Sequence, residues 1–168
     1  LSIIELEEHL KPNKIINLND IFTNIKSNFE IILKKKSINL HLDLMEPTLV
    51  FGDNDKLLTV FSNLIDNSIK YSQNGKNIYV NSQNSEGKLI DKNIVISIKD
   101  EGVGIPHQLI PRITERFFRV DTEKSKKVGG TGLGLAIMKH IISQHRGDYE
   151  ILSKLNEGTE IKIYLPTK

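Results

Sequence analysis

The 168-residue chain contains no cysteine and no tryptophan. Without thiols it forms neither disulfides nor thiolate metal sites, a composition that suits a reducing compartment. Only five prolines interrupt it. No apolar run approaches the roughly 20 residues that a membrane-spanning helix requires, and no basic-then-apolar secretory leader opens the chain. Leu1 stands where an initiator methionine would. The expectation is therefore an excised piece of a longer protein, with this part cytoplasmic and any anchor, in the inner membrane, lying upstream. An excess of one charge is also lacking. The 23 basic and 21 acidic residues leave +2, which gives no reason to expect nucleic acid or a membrane surface as the main partner. What remains is ordinary globular composition, 38% apolar and 26% charged, at a length that can bury one core.

Hydrophobic spacing divides the chain into elements. Leu1 to Leu10 is a short amphipathic stretch ending at Lys11-Pro12-Asn13, the tail of a helix. Asn19 or Asp20 can cap a helix that carries Ile21, Ile25, Phe29, Ile32 and Leu33 on one face and closes at Lys34 to Lys36. Ile38 to Leu44 and Thr48 to Phe51 read as strands, and Gly52-Asp53 turns the chain. From Asn54 to about Ser72, apolar residues recur at helical spacing. Ile78 to Val80 and Ile94 to Ile98 are strands around a polar loop from Ser82 to Asn93. Short helical pieces follow Pro106 as far as Arg116, then a polar segment from Val120 to Gly130. A helix runs from Thr131 to about His145, with Leu133, Ile137, Ile141 and Ile142 on its apolar side. Tyr149 to Leu152 and Ile161 to Leu165 form a closing hairpin around Asn156-Glu157-Gly158. This order predicts an α+β fold, a two-layer α/β sandwich in which a mixed, mostly antiparallel sheet is backed by helices on one face.

Three motifs carry chemistry. Asn63, Asn67 and Lys70 share one edge of the helix that starts near Asn54, turned away from Leu57, Phe61 and Leu64. Amide oxygens are neutral hard ligands able to complete the shell of a phosphate-bound Mg²⁺, and an ammonium can meet the remaining phosphate charge. The same stripe also suits a plain solvated helix face. Asp100 ends an apolar strand just before Gly102 and Gly104, whose freedom lets a flat ligand approach the main chain. A carboxylate there can accept from an exocyclic amine, as adenine offers and the guanine six-position oxygen does not; a simple strand-to-loop cap is the other reading. Gly130-Thr131-Gly132-Leu133-Gly134 opens a helix, whose free N–H groups and dipole attract phosphate. Glycines for close helix packing remain the alternative there. The spacing fits neither the dinucleotide fingerprint nor a Walker-type phosphate loop.

These segments resemble the sensor histidine kinases. Asn63 to Tyr71 is similar to the asparagine box of that family, Asp100 to Gly104 to the first glycine box, Glu115 to Arg119 to the phenylalanine box and Gly130 to Gly134 to the second glycine box. Pro111 to Asp121 is most similar to the phosphate-regulon sensor subgroup. The resemblance covers about Leu18 to Pro166. It implies a Bergerat-fold ATP-binding catalytic domain over residues 15–168, a fold shared with DNA gyrase, the MutL mismatch-repair ATPase and heat-shock chaperones. Residues 1–14 resemble the end of the dimerisation and histidine phosphotransfer helix with its linker. By position, Asn67 would ligate Mg²⁺ and Asn63 would assist near the phosphates of ATP. Lys70 and Tyr71 would face phosphate and ribose. Asp100 would hold the adenine amine, with Gly102, Gly104 and Ile105 shaping the slot. Gly130, Thr131, Gly132, Leu133 and Gly134 would wrap the phosphates. Arg119 would reach the γ-phosphate, and Thr159 would close the adenine end.

The same resemblance implies partners: the histidine phosphotransfer domain of the full-length protein, a homodimer, and the receiver domain of a cognate response regulator. Ser68 stands where the family usually has alanine, a change expected to be harmless. No His-Glu-Leu-like phosphoacceptor segment occurs: His9, followed by Leu10-Lys11-Pro12, stands in the wrong context, and His41, His107, His140 and His145 read as structural or surface residues, so the chain is expected to supply the kinase half of a phosphotransfer. An ATP hydrolase of the same fold is the chief alternative. Those enzymes are similar to one another in placing a water-activating glutamate four residues before the metal asparagine; here that place is Asn63, and an amide cannot take up the proton. A nucleotide-sensing module without phosphotransfer is the other.

Overall fold

A computed structural model of the chain describes residues 11–85, 94–120 and 132–167. Strand β1 (Ile15–Asn17) pairs antiparallel with β3 (Leu49–Phe51) in a two-stranded ribbon, Ile16 opposite Val50. Lys11 and Lys14 pack on it, the Lys14 carbonyl accepting from the Gly52 N–H at 2.8 Å and the Lys11 ammonium lying over the Phe51 ring. Asn17 then caps helix α1 (Leu18–Asn28), its side chain accepting from the Asn19 N–H at 3.1 Å. The expected cap, Asn19 or Asp20, lies inside the helix instead. Asn19 bridges chain segments, donating to the Met45 carbonyl and accepting from the Thr48 N–H.

The single helix expected up to the lysine cluster breaks at Phe29, and α2 (Glu30–Lys35) follows as a separate turn and a half. The break has a packing cause. Helix α1 buries Leu18, Ile21, Phe22 and Ile25, whereas beyond Phe29 only Leu33 reaches the core and Ile31 is left 84% exposed. A tripeptide of apolar residues, Ile31-Ile32-Leu33, cannot all face one side of a helix, and the expected core position Ile32 is exposed.

Helix α3 (Asn54–Tyr71) is the spine of the molecule. Asp53 caps its N-terminus by accepting from the Lys56 N–H at 3.0 Å. Leu57, Val60, Phe61, Leu64, Ile65 and Ile69 are all buried, and Phe61 meets Phe22 of α1 at 4.8 Å between ring centroids. Its far end is closed from outside, where the Lys36 ammonium donates to the carbonyls of Ile69 and Ser72.

The main sheet runs in the order β2 (Asn39–Asp43), β4 (Asn77–Asn84), β5 (Ile94–Asp100), β7 (Gly158–Leu165), β6 (Asp148–Lys154). The β2–β4 pair is parallel and the others antiparallel, as the mixed, mostly antiparallel expectation requires. Helices α1, α3 and α4 (Gly134–Gln144) lie over one face, enclosing a core that includes Ile78, Val80, Ile96, Ile98 and Ile163. Strand β4 continues through Ser82, Gln83 and Asn84, which the sequence pattern assigns to the loop. Ser82 hid the continuation. It occupies an inward position but is polar, and its hydroxyl is used by the Met45 N–H and the Thr48 hydroxyl, each at 2.8 Å. In α4, Met138 and not Ile137 fills the core beside Ile141 and Ile142; Ile137 is exposed. The short helical piece after Pro106 is a 3₁₀ turn, His107–Arg112. The expectations for Leu1 to Leu10 and for the polar segment beyond Val120 lie outside the described residues.

Candidate active site

The α3 stripe, the end of β5 and the start of α4 converge on one cavity of about 250 Å³. Along α3, Asn63, Asn67, Lys70 and Tyr71 line it. The 3.6-residue period that buries Leu64 and Ile65 in the core turns these polar groups to the opening. Lys70 is not alone there: its ammonium pairs with Asp66 at 2.8 Å, one turn earlier. Asp66, unremarked in the sequence, therefore also lines the site.

Asp100 forms the base of the cavity and is only 8% exposed. One carboxylate oxygen accepts from the Gly102 N–H at 2.9 Å and the Thr159 N–H at 3.2 Å. It therefore caps its own turn and also borders the cavity. Burial pushes its carboxyl above the ordinary value, opposed by those two amides and by a hydrogen bond from the Ser68 hydroxyl. An alanine at Ser68 could not make that bond, so the residue is coupled to the site. Gly102 supports the turn from beneath, where a Cβ would lie 2.7 Å from the Tyr71 carbonyl.

At Gly104 the backbone is left-handed (φ +73°) and a Cβ would meet the Lys154 carbonyl at 2.1 Å. Only glycine fits. The chain then places Ile105 along the cavity wall, its N–H donating to the Ser153 hydroxyl at 2.8 Å. Ser153 also contacts the Thr159 hydroxyl at 2.7 Å, and Thr159 borders the cavity. Nothing in the alternating pattern of the last hairpin marked Ser153.

At the other end, Gly132 and Gly134 line the opening and Arg119 faces it. Gly132 (φ +74°) accepts from the Phe117 N–H at 3.0 Å, tying the glycine turn to the Phe117-Phe118 pair. Leu133 precedes α4 without bordering the cavity, and among the described residues no side chain caps the helix. Its first N–H groups thus meet no side-chain acceptor among the described residues, the arrangement that favours an anion. Gly134 packs over Asn63 and Asn67, a Cβ there falling 3.8 Å from the Asn67 amide nitrogen. Gly130 and Thr131 lie outside the described residues.

A metal has few anionic ligands here. Among the described residues no cluster of three His, Cys, Asp or Glu side chains exists. The amides of Asn63 and Asn67 beside the Asp66 carboxylate fit a hard cation that arrives with its charge already balanced by phosphate, and do not fit a free-standing metal site.

Comparison with known proteins places the chain in a family. Residues 52–168 match the model of the "Histidine kinase-, DNA gyrase B-, and HSP90-like ATPase" family. The sensor-like histidine kinase SenX3 of Mycolicibacterium smegmatis is 32% identical over 166 residues, 99% of this chain and 42% of SenX3. The sensor histidine kinase WalK of Bacillus subtilis is 42% identical over 117 residues, 69% of this chain and 18% of WalK. The chain thus spans less than half the length of these relatives. The nucleotide-free catalytic domain of histidine kinase ThkA superposes with a TM-score of 0.76 at 26% identity, covering 92% of this chain and 95% of that domain. Among the described residues, no helix is long and apolar enough to cross a membrane.

Proposed function

The chain belongs to the histidine kinase-, DNA gyrase B- and HSP90-like ATPase family as a catalytic domain of the sensor histidine kinase type, and on that premise we propose that its cavity binds Mg-ATP and delivers the γ-phosphoryl group to a histidine of a separate phosphotransfer domain. The observation that carries this reading is the buried carboxylate of Asp100 at one end of a cavity whose other end holds Asn63, Asn67, Lys70 and an uncapped helix N-terminus. Such a cavity is acceptor-lined where a purine amine would sit and donor-lined where phosphates would.

Asp100 accepts from the exocyclic amine, and Ile105 and Gly104 flank the flat base. The first N–H groups of α4 meet the phosphate chain, and Lys70 and Arg119 oppose its charge. Bound Mg²⁺ would be held by Asn67, with Asn63 nearby, and would supply further neutralisation of the phosphate oxygens. The acceptor imidazole nitrogen forms a bond to the γ-phosphorus as the bond to the bridging oxygen breaks; ADP departs and the imidazole proton passes to solvent. This chain contributes position and charge, which dominate phosphoryl transfer. Residues 1–14 belong, in this reading, to the end of the phosphotransfer helix, and a full-length homodimer and a response regulator receiver domain complete the relay.

Titration calorimetry with Mg-ATP tests the binding step. Saturable heat is expected, and its absence would overturn the reading. Labelled ATP and a separately supplied phosphotransfer domain test the transfer. Acid-labile label on that domain is expected; rapid hydrolysis by the isolated chain would instead place it with the hydrolases.

A further inference from the structure

Resting on that reading, we propose that Asp66 is a specificity-determining residue that separates Mg-ATP from metal-free ATP. Its carboxylate pairs with Lys70 before nucleotide arrives, then accepts from the waters of the incoming Mg²⁺ as Lys70 turns to the phosphates.

An acid stands where a polyanion would sit. Asp66 and Asp100 are the acids among the described residues that line the cavity. Asp100 lies at its base, where the Gly102 and Thr159 N–H groups donate to one of its oxygens. Asp66 lies at the other end. It shares one stripe of α3 with Asn63, Asn67 and Lys70, so the helical period turns its carboxylate to the opening that those side chains border. A fixed negative charge there repels a triphosphate. Helix α3 ends at Tyr71, and the partial negative charge of its carbonyl end adds to the repulsion. For phosphate alone, an amide at this position would serve better.

The Lys70 pair shows how the charge is held in waiting. Its atoms lie 2.8 Å apart, with the Lys70 side chain 30% and the Asp66 side chain 38% exposed. A partly exposed pair one helical turn apart is weakly held, so Lys70 can leave it for a phosphate at little cost. That departure strips Asp66 of its counter-charge beside the phosphates. Mg²⁺ resolves the conflict, because it binds phosphate oxygens yet keeps several waters. Those waters donate, and an ionised carboxylate only accepts. Without the metal, Asp66 either retains Lys70, and the phosphates lose an ammonium, or releases it and repels them. The free nucleotide is penalised in both cases and the metal complex in neither.

The test is calorimetry of the wild-type chain, Asp66→Asn and Asp66→Glu with ATP, once in excess Mg²⁺ and once in EDTA, after melting has shown each chain folded. Asp66→Ser serves as a second charge-free variant if the asparagine chain does not fold. Asp66→Asn is expected to bind metal-free ATP about tenfold more tightly than wild type, the scale of removing one like charge beside a polyanion. Mg-ATP is expected to bind it no more tightly than wild type, so the preference for the metal complex falls about tenfold. Asp66→Glu keeps the charge and is expected to keep the wild-type preference. A charge-free variant that binds metal-free ATP no better than wild type overturns the proposal. So does an equal gain with and without Mg²⁺, which would mean that Asp66 only withholds Lys70. A wild-type chain that gives no heat with Mg-ATP overturns the functional reading itself, whereas failure of this proposal alone leaves that heat in place.

Discussion

Asp100 concentrates the conflict between stability and function in one side chain. Burial favours its neutral form, while the Gly102 and Thr159 amides and the Ser68 hydroxyl favour the charge that the proposed contact with a purine amine uses. Its carboxyl titrates above the ordinary value, so the folded state holds the proton more tightly than the unfolded chain does. The stability this contributes is complete below the unfolded value near 4 and is lost as pH rises through the folded value. Ionised Asp100 therefore costs stability at neutral pH. Asp100→Asn is expected to keep or raise Tm, because an amide oxygen still accepts from both backbone N–H groups, yet to weaken Mg-ATP by about tenfold or more, the worth of a charge-assisted bond. Parallel melting and calorimetry check both halves. A variant that loses Tm and keeps affinity would reverse the assignment.

Between elements, two side chains fasten the helix that carries the asparagines. His145, only 1% exposed at the end of α4, accepts from the Asp53 N–H on Nε2 at 3.0 Å, and its Nδ1 bonds the Ile141 carbonyl at 2.8 Å. This pattern needs the neutral ring. Burial lowers its pKa, with Asp53 opposing and Lys56 assisting that shift. The unfolded ring takes up a proton first as pH falls, so the contribution of His145 is complete above about pH 6.5 and declines below it. Wild-type Tm is expected to drop between about pH 6.5 and 5, and His145→Phe to flatten that slope while lowering Tm at pH 8, since the Asp53 N–H is left without its acceptor, a loss of about 1–3 kcal/mol. A pH scan of melting temperature decides it. At the opposite end, Lys36 closes the last carbonyls of α3, where a cation also opposes the helix dipole. Lys36→Met is expected to cost about 1 kcal/mol in urea unfolding with an unchanged slope.

For the whole molecule, the cavity is a seam between α3, strands β5 and β7 of the sheet, and α4, so a ligand that fills it ties the layers together. Mg-ATP at about 100 times its Kd is expected to add about 2.7 kcal/mol to stability, several degrees in Tm for a chain of this size, and Asp100→Asn should show little of that shift. The core sets the reference for all such measurements. Phe61→Ala, which removes the ring packed on Phe22, is expected to cost about 3–5 kcal/mol. With an amide rather than a carboxylate at Asn63, hydrolysis by the chain alone is expected to be slow, which a phosphate-release assay reads directly.

Local chemistry was legible along the chain. The spacing of Asn63, Asn67 and Lys70, the strand ending at Asp100, the glycine-rich opening of α4 and the closing hairpin all follow from period, side-chain type and backbone freedom, properties that a residue brings with it. The tertiary structure alone decided which residues these groups meet. It set Ser68 against Asp100 and Ser153 against Thr159, moved the first helix cap to Asn17, and joined β1 to β3. Those contacts bring together residues up to 92 positions apart, as Asp53 and His145 are. A polar residue at an inward position shows its partner only when another element has been packed against it, because the same serine in isolation reads as surface.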